Sequence, residues 1–389
     1  MSGPDESHLV AVVLAPPEAA DAVRRIWDRN GAVVVIDPGH PRLGDLIDTV
    51  DPTVVVDANG RHLRPEGQSV DPSVGAVVAT SGTTGEPRFV ELTTEGLTAS
   101  ATAVNRALGV DPATDRWLAC LPLTAVAGLA IVARAHTTGT SLTVHPRFDP
   151  SAVAAASNDC SLVSLVPTTL MRLLDTDAHA AARFRRVLLG GAPIPPDLRV
   201  RATEAGVQLV TTYGLTETGG GCVHDGHELN GVEIDFAPDS HEVLIRGSVV
   251  MRGYRNGSTP DTETWRNGWL RTGDVGRRDE HGRIEIVDRI KDLIITGGVN
   301  VSPTAVEAGC ALSPGVAEIA IIGELDPEWG ERVVACVVPI DTADPPSLAD
   351  LRAAGVAAGL RSADLPRALR LVTAIPRTPS GKIVRRLLR

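Results

Sequence analysis

One segment of the chain has the composition of a phosphate cradle. Thr80-Ser81-Gly82-Thr83-Thr84-Gly85-Glu86-Pro87-Arg88 holds two glycines, four hydroxyls and a cation. It follows a short β-like run at 75–79. Such a loop can turn its backbone N–H groups and hydroxyls inward onto phosphate oxygens. It has neither the Walker A pattern nor a dinucleotide fingerprint opening a helix. A solvated Ser/Thr/Gly turn is the plain alternative. Three further groups lie downstream: Tyr213-Gly214-Leu215-Thr216-Glu217-Thr218, then Thr272-Gly273-Asp274 with Arg289, then Pro379-Ser380-Gly381-Lys382 near the C-terminus.

The elements that must position them fall into three textures. Up to about residue 215, short β-branched runs alternate with helical patterns. Strand-like runs stand at 8–14, 32–36, 53–56, 117–121, 141–144, 162–166, 187–189 and 207–211, and helix-length segments include 17–30, 93–108 and 149–157. Continuous apolar strands between helices predict a buried, mostly parallel sheet. From about 231 to 290 the strands are short and separated by turns such as Asn267-Gly268, which predicts an antiparallel β subdomain. After 290, Ser302-Pro303 opens a helix, strands follow at 317–322 and 333–338, and 347–360 is Ala-rich. The expectation is an α/β N-terminal domain over 1–290 and a small, mobile α+β domain over 291–389.

Composition narrows the function. The 389 residues carry 48 acids against 37 bases, a formal net charge of -11. A nucleic-acid or anionic-membrane binder should be basic, so neither is an expected partner. The longest apolar run is far shorter than the roughly 20 residues of a membrane span. The N-terminus lacks a secretory signal pattern, and five scattered cysteines without a C-x-x-C read as buried thiols in a reducing cytoplasm.

The ordered set from the Thr80–Arg88 loop to Lys382 resembles the adenylate-forming superfamily of acyl-CoA synthetases, peptide-synthetase adenylation domains and luciferases. The resemblance covers nearly the whole chain. Tyr213–Val223 running into Asp225-Gly226, and Leu121-Pro122-Leu123 with Ala127-Gly128-Leu129, look most like the short actinobacterial form of the o-succinylbenzoate–CoA ligase branch. The resemblance implies an acid–thiol ligase that joins a carboxylate to AMP and passes the acyl group to coenzyme A. Its partners are then small molecules: a carboxylic acid or acyl adenylate, ATP with Mg²⁺, and CoA.

The same resemblance implies the site. Ser81, Gly82, Thr83, Thr84 and Gly85 would wrap phosphates, with Arg88 as the loop's cation. Glu217 would hold Mg²⁺, a job for a hard oxygen ligand. Thr216 would donate to the AMP phosphate, and Tyr213, beside Gly214, would stack on adenine. Gly190, Gly191 and Ala192 would let backbone approach the adenine. Asp274 would take the ribose hydroxyls with Arg289 nearby; a domain-edge salt bridge is the plain alternative. Lys382 would bridge the attacking carboxylate and the α-phosphate. Lys291 would be a hinge, and Gly297 with Gly298 would line the pantetheine channel. Ala125, Gly128, Gly219 and Gly220 would flank a pocket for a bulky acid.

Three departures touch the ATP half. Arg88 stands where relatives usually have Lys, Phe89 where they have Gly, and Ala125 where they have His or another ring. Glu91 adds a carboxylate close by. These leave two versions open: a complete ligase with a weakened pyrophosphate site, and an enzyme that only thioesterifies a preformed adenylate. A binding-only sensor of acyl adenylates is the alternative of another class. The phosphate site should be slow if the Phe89 ring occupies phosphate space, and unharmed if the ring points into the core.

Overall fold

The computed structural model of the chain describes residues 8–80, 88–255, 261–377 and 383–389. Ser81, Gly82, Thr83, Thr84, Gly85 and Lys382 lie outside the described residues. The chain divides into two compact units, 1–235 with 244–272, and 236–243 with 273–389.

The first unit holds two seven-stranded sheets. In one, the Val-rich strands Leu9–Val13, Ala32–Val35 and Val54–Asp57 run parallel, as their unbroken apolar runs predict. Val74–Thr80 then pairs antiparallel with Arg88–Thr93, bringing Thr80 opposite Arg88. Gly253–Tyr254 adds an antiparallel edge beside Arg88–Thr93. In the other sheet, Ser141–Val144, Arg116–Ala119, Leu162–Leu165, Arg186–Gly190 and Leu209–Leu215 are parallel, and Gly220–His224 returns antiparallel. One face of this sheet buries Leu118, Val163, Val187 and Leu189 against Leu170 and Leu173 of the helix Pro167–Arg183. The opposite face carries Trp117, Ser164, Thr212 and His224, because side chains alternate along a strand.

Two helices bring the site residues of that second face into place. Thr94–Leu108 starts on Thr93, whose hydroxyl accepts from the Gly96 N–H, and stops at Gly109 with φ of 59°. Val126–Thr138 stops likewise at Gly139, φ 70°. It is apolar apart from Arg134, His136 and the final threonines, and its stretch from Gly128 to Ala135 is buried.

The second unit contains 291–389, the stretch expected to be α+β, and begins earlier than the expected boundary at 290. Val316–Asp326 and Gly330–Pro339 form a long antiparallel pair, with Ala368–Leu371 parallel to the second of them. The helix Pro303–Cys310 starts where Ser302-Pro303 indicates, and the Ser302 hydroxyl accepts from the Ala305 N–H. Leu348–Ala357 is capped by Ser347. All five cysteines are buried free thiols. No helix among the described residues is long and apolar enough to cross a membrane.

Candidate active site

Glu217 stands on one 3₁₀ turn, Thr216–Thr218, at the end of the strand Leu209–Leu215. The Thr218 hydroxyl fixes that turn: it accepts from the Leu215 N–H at 2.9 Å and donates to the Gly220 carbonyl at 2.7 Å. The next turn needs glycine. A Cβ on Gly214 would lie 1.9 Å from the Gly220 oxygen, and Gly219 has φ of 63°. The Tyr254 hydroxyl donates to Glu217 Oε1 at 2.7 Å, and the Arg88 guanidinium sits 4.8 Å from the Tyr254 ring centroid. Arg88 and Glu217 are therefore joined through one aromatic ring. Burial and then the Glu217 charge raise the Tyr254 pKa, so the phenol stays a donor. Tyr254 escapes the sequence reading because only the pairing of its edge strand with Arg88–Thr93 brings it here. Tyr213 is half-buried and lies opposite Val223, on the face away from Thr212.

The second unit carries the other named residues. Asp274 lies opposite Arg289 across two antiparallel strands, its Oδ1 3.0 Å from Arg289 Nε and its side chain buried. The Gly273 N–H donates to Glu242 Oε1, which stiffens the turn into Asp274. Lys291 is exposed in the short turn Ile290–Asp292. Gly297 and Gly298, at φ 56° and 78°, form the tight turn of the hairpin Ile294–Thr296 and Val299–Val301. A Cβ on Gly297 would lie 2.9 Å from the Trp329 ring, and Gly297 N–H donates to the Trp329 carbonyl. Arg367 stacks on that ring at 3.9 Å, with its buried Nε left without a hydrogen-bond partner among the described residues. Trp329 and Arg367 thus pack in succession beside Gly297. Arg385, in the basic tail, is anchored by Glu307 and by the Ile321 carbonyl.

A third cluster is buried under the helix Val126–Thr138. Arg134 is 4% exposed, donates to Ser164 Oγ at 3.1 Å and lies over the Trp117 ring. No carboxylate among the described residues pairs with it. Burial pushes its pKa down to about 10, which leaves it charged at neutral pH. Gly220, a member of the expected acid pocket, turns toward it: a Cβ there would lie 3.8 Å from Arg134 Nη2. The sequence carried one signal for this residue, a single guanidinium inside an apolar helical run.

Residues 6–255 match the model of the AMP-binding enzyme family, and residues 305–382 match that family's C-terminal domain. The chain belongs to the AMP-binding enzyme family. It is an enzyme of the acid–thiol ligase class that the sequence resemblance implied. A probable 2-succinylbenzoate–CoA ligase from Mycobacterium tuberculosis is 37% identical over 333 residues, covering 83% of this chain and 85% of the relative. Two structures of the o-succinylbenzoate CoA synthetase of Bacillus subtilis superpose closely. The complex with the acyl-adenylate intermediate is 26% identical, with a TM-score of 0.81 over 98% of this chain and 88% of that one. The complex with ATP and magnesium is 27% identical, with a TM-score of 0.83 over 98% and 89%.

Within this family the departures at the ATP half take on a different weight. Phe89 points into the core. It is 5% exposed in a core with Leu9, Ala11, Val34 and Val77, the harmless one of the two expected outcomes. Glu91 does not load the site with free negative charge, because it is buried between Arg252 at 3.1 Å and Arg255 at 3.4 Å. Ala125 is exposed and begins the helix Val126–Thr138 without a side-chain cap. The glycines have packing reasons of their own. A Cβ on Gly128 would lie 2.2 Å from the Pro122 oxygen, and one on Gly190 2.5 Å from the Thr212 oxygen. Gly191 has φ of 80° and is exposed, and Ala192 beside it is half-buried.

His224 adds a pH dependence to this family member. It is 7% exposed, and burial followed by the Arg134 charge pushes its pKa from 6.5 down to about 4, with Asp225 opposing. A depressed histidine contributes stability above the unfolded pKa and loses it as pH falls toward the folded one. The window is therefore pH 6.5 to about 4, worth about 3 kcal/mol at its acid end. Wild type and His224→Gln should diverge in unfolding free energy across that window, wild type losing more. Parallel profiles would remove the assignment.

Proposed function

We propose that this enzyme converts 2-succinylbenzoate, ATP and CoA to the CoA thioester, AMP and pyrophosphate through the acyl adenylate. One observation carries the choice of acid. Arg134 is a buried cation without a carboxylate partner among the described residues, beside the Gly220 backbone of the expected acid pocket. An unpaired buried charge is costly, so an anion is its natural partner. An acid with two carboxylates has one to activate and one to leave with Arg134. The names of the relatives supply the same diacid.

The roles follow from the chemistry. A carboxylate oxygen attacks the α-phosphorus, the bond to the β-phosphate oxygen breaks, and pyrophosphate leaves. Glu217 holds Mg²⁺ against the phosphate oxygens. One carboxylate fits this ion, which keeps waters and phosphate oxygens as its other ligands. Thr216 donates to the α-phosphate, Arg88 and the residues from Ser81 to Gly85 take the outgoing phosphates, and Lys382 bridges the reacting oxygens. Tyr213 and the Gly190–Ala192 segment hold adenine, and Asp274 with Arg289 holds the ribose. In the second step the CoA sulfur attacks the acyl carbonyl, the carbon–oxygen bond to AMP breaks, and the thiol proton leaves to solvent. Gly297, Gly298 and the Trp329 ring take the pantetheine arm, with Lys291 as the hinge. Five buried free thiols support a cytoplasmic setting.

Phe89 in the core supports the complete ligase over the enzyme of the second step alone. The test assays the halves separately: pyrophosphate exchange with 2-succinylbenzoate, and thioester formation from synthetic acyl adenylate plus CoA. Turnover in both is expected; turnover in the second alone would leave only the half-enzyme.

Two substitutions probe the two ends of the substrate. Arg134→Met should lower kcat/KM for 2-succinylbenzoate by about tenfold to a hundredfold, mainly through KM, since it removes a charge-assisted contact. Its melting temperature should not fall, because the substitution also removes a buried unpaired charge. Asp274→Ala should weaken AMP binding by about 1–3 kcal/mol, read by calorimetry, because ribose hydroxyls are left unpaired. Unchanged AMP affinity would take Asp274 out of the nucleotide site.

A further inference from the structure

Thr212 and His224 are opposite each other across two antiparallel strands, so their side chains share one face of the sheet. That is the face of Ser164 and Trp117, over which Arg134 lies. Thr212 Oγ1, His224 Nδ1 and His224 Nε2 are all buried with no hydrogen-bond partner. Both residues are described, and neither engages any other group of the described chain through these atoms. The stretch Gly220-Gly221 runs between the three side chains. A Cβ on Gly221 would lie 2.1 Å from Thr212 Oγ1 and 3.6 Å from His224 Nε2. A Cβ on Gly220 would approach Arg134 Nη2. Two glycines thus let a hydroxyl and an imidazole, at 221, and a guanidinium, at 220, come close to one stretch of backbone.

Buried polar groups are nearly always paired, so three orphaned atoms beside one uncompensated cation call for a missing partner. None of the steps above uses His224 or Thr212. We infer that Thr212 and His224 complete, with Arg134, a subsite that receives the second carboxylate of the acid and so sets acid specificity. This deepens the functional reading above and rests on it for the place of the acid. Arg134 supplies the charge. His224 and Thr212 supply uncharged N–H and O–H donors, which fix orientation and reject an acid that would leave them unpaired. Burial and the Arg134 charge keep the imidazole neutral at pH 7. The other ionisable groups near it face elsewhere: Asp225 Oδ1 is taken by the Thr211 N–H and hydroxyl, and His227 on the edge strand is exposed.

The test is a specificity ratio. Wild type, Thr212→Val, His224→Leu and His224→Gln are assayed with 2-succinylbenzoate and with 4-oxo-4-phenylbutanoate, which lacks the ring carboxylate. Further matched pairs of aryl diacids and monoacids accompany them. Wild type should prefer the diacid. Thr212→Val and His224→Leu should each cut the diacid-to-monoacid ratio of kcat/KM by about tenfold, through KM for the diacid alone. His224→Gln retains an N–H donor and should keep most of the ratio. Melting temperatures should hold, because each apolar variant deletes an unpaired buried atom. Equal losses on both acids, or an unchanged ratio, would overturn the subsite in favour of a structural or water-filled cluster. A wild type that prefers monoacids in every pair would overturn it too. Preference for another diacid, with no turnover of 2-succinylbenzoate, would sink the choice of acid and leave the subsite standing.

Discussion

A Glu217→Ala enzyme is expected to lose about two to three orders of magnitude in acyl-adenylate formation, the cost of removing one preorganised charge contact to a transition state. Thioester formation from supplied acyl adenylate should fall far less, since that step needs no metal-bound triphosphate. The reason lies in how Glu217 is held. Its turn is pinned by Thr218, and one carboxylate oxygen already accepts from Tyr254 at 2.7 Å. The carboxylate therefore has a fixed direction before any metal arrives, and the binding energy is not spent on ordering it. Tyr254→Phe removes the orienting bond and should cost about tenfold, visible as a raised Mg²⁺ requirement at an unchanged melting temperature. Equal losses in both half-reactions would show that Glu217 supports the turn and not the metal.

Much of the architecture was legible because its determinants are local. The apolar runs at 32–36 and 162–166 predict parallel strands, and Ser302-Pro303 predicts the helix Pro303–Cys310 that follows. What escaped the sequence depends on pairings far apart in the chain. Tyr254 reaches Glu217 only because its two-residue strand joins the edge of Arg88–Thr93. Trp329 meets Gly297 only through the fold of the second unit. Glu91 looked like a charge added to a phosphate site until Arg252 and Arg255 reached it. The glycines show a subtler limit. Gly128 is expected to flank an acid pocket and Gly190 to let backbone approach adenine, yet the nearest atoms that forbid a side chain at either belong to the protein's own backbone. A glycine reports that something is close, and only the fold says what.

Phe89 turns that limit into an experiment. From the sequence alone, Phe89→Gly restores the residue usual at this position and should quicken adenylation. From the structure, it removes a ring that is 5% exposed and packed among Leu9, Ala11, Val34 and Val77. Truncating a buried Phe costs about 3–5 kcal/mol, and a glycine in mid-strand adds about 1 kcal/mol more. That is a large share of the 5–15 kcal/mol that holds a typical domain together. The variant should show a much lower denaturation midpoint, and its pyrophosphate exchange per folded molecule should not rise. The strand is the carrier of the effect on activity. Arg88 precedes Phe89 and is held over Tyr254, so loosening Arg88–Thr93 also frees the cation proposed to take the phosphates. Arg88→Lys tests the other half of the comparison without touching the core: the cation is kept, the planar stacking on Tyr254 is lost, and stability should change by less than about 1 kcal/mol. If Phe89→Gly kept its midpoint and exchanged pyrophosphate faster than wild type, the ring would be obstructing phosphate, and its place in the core would be wrong.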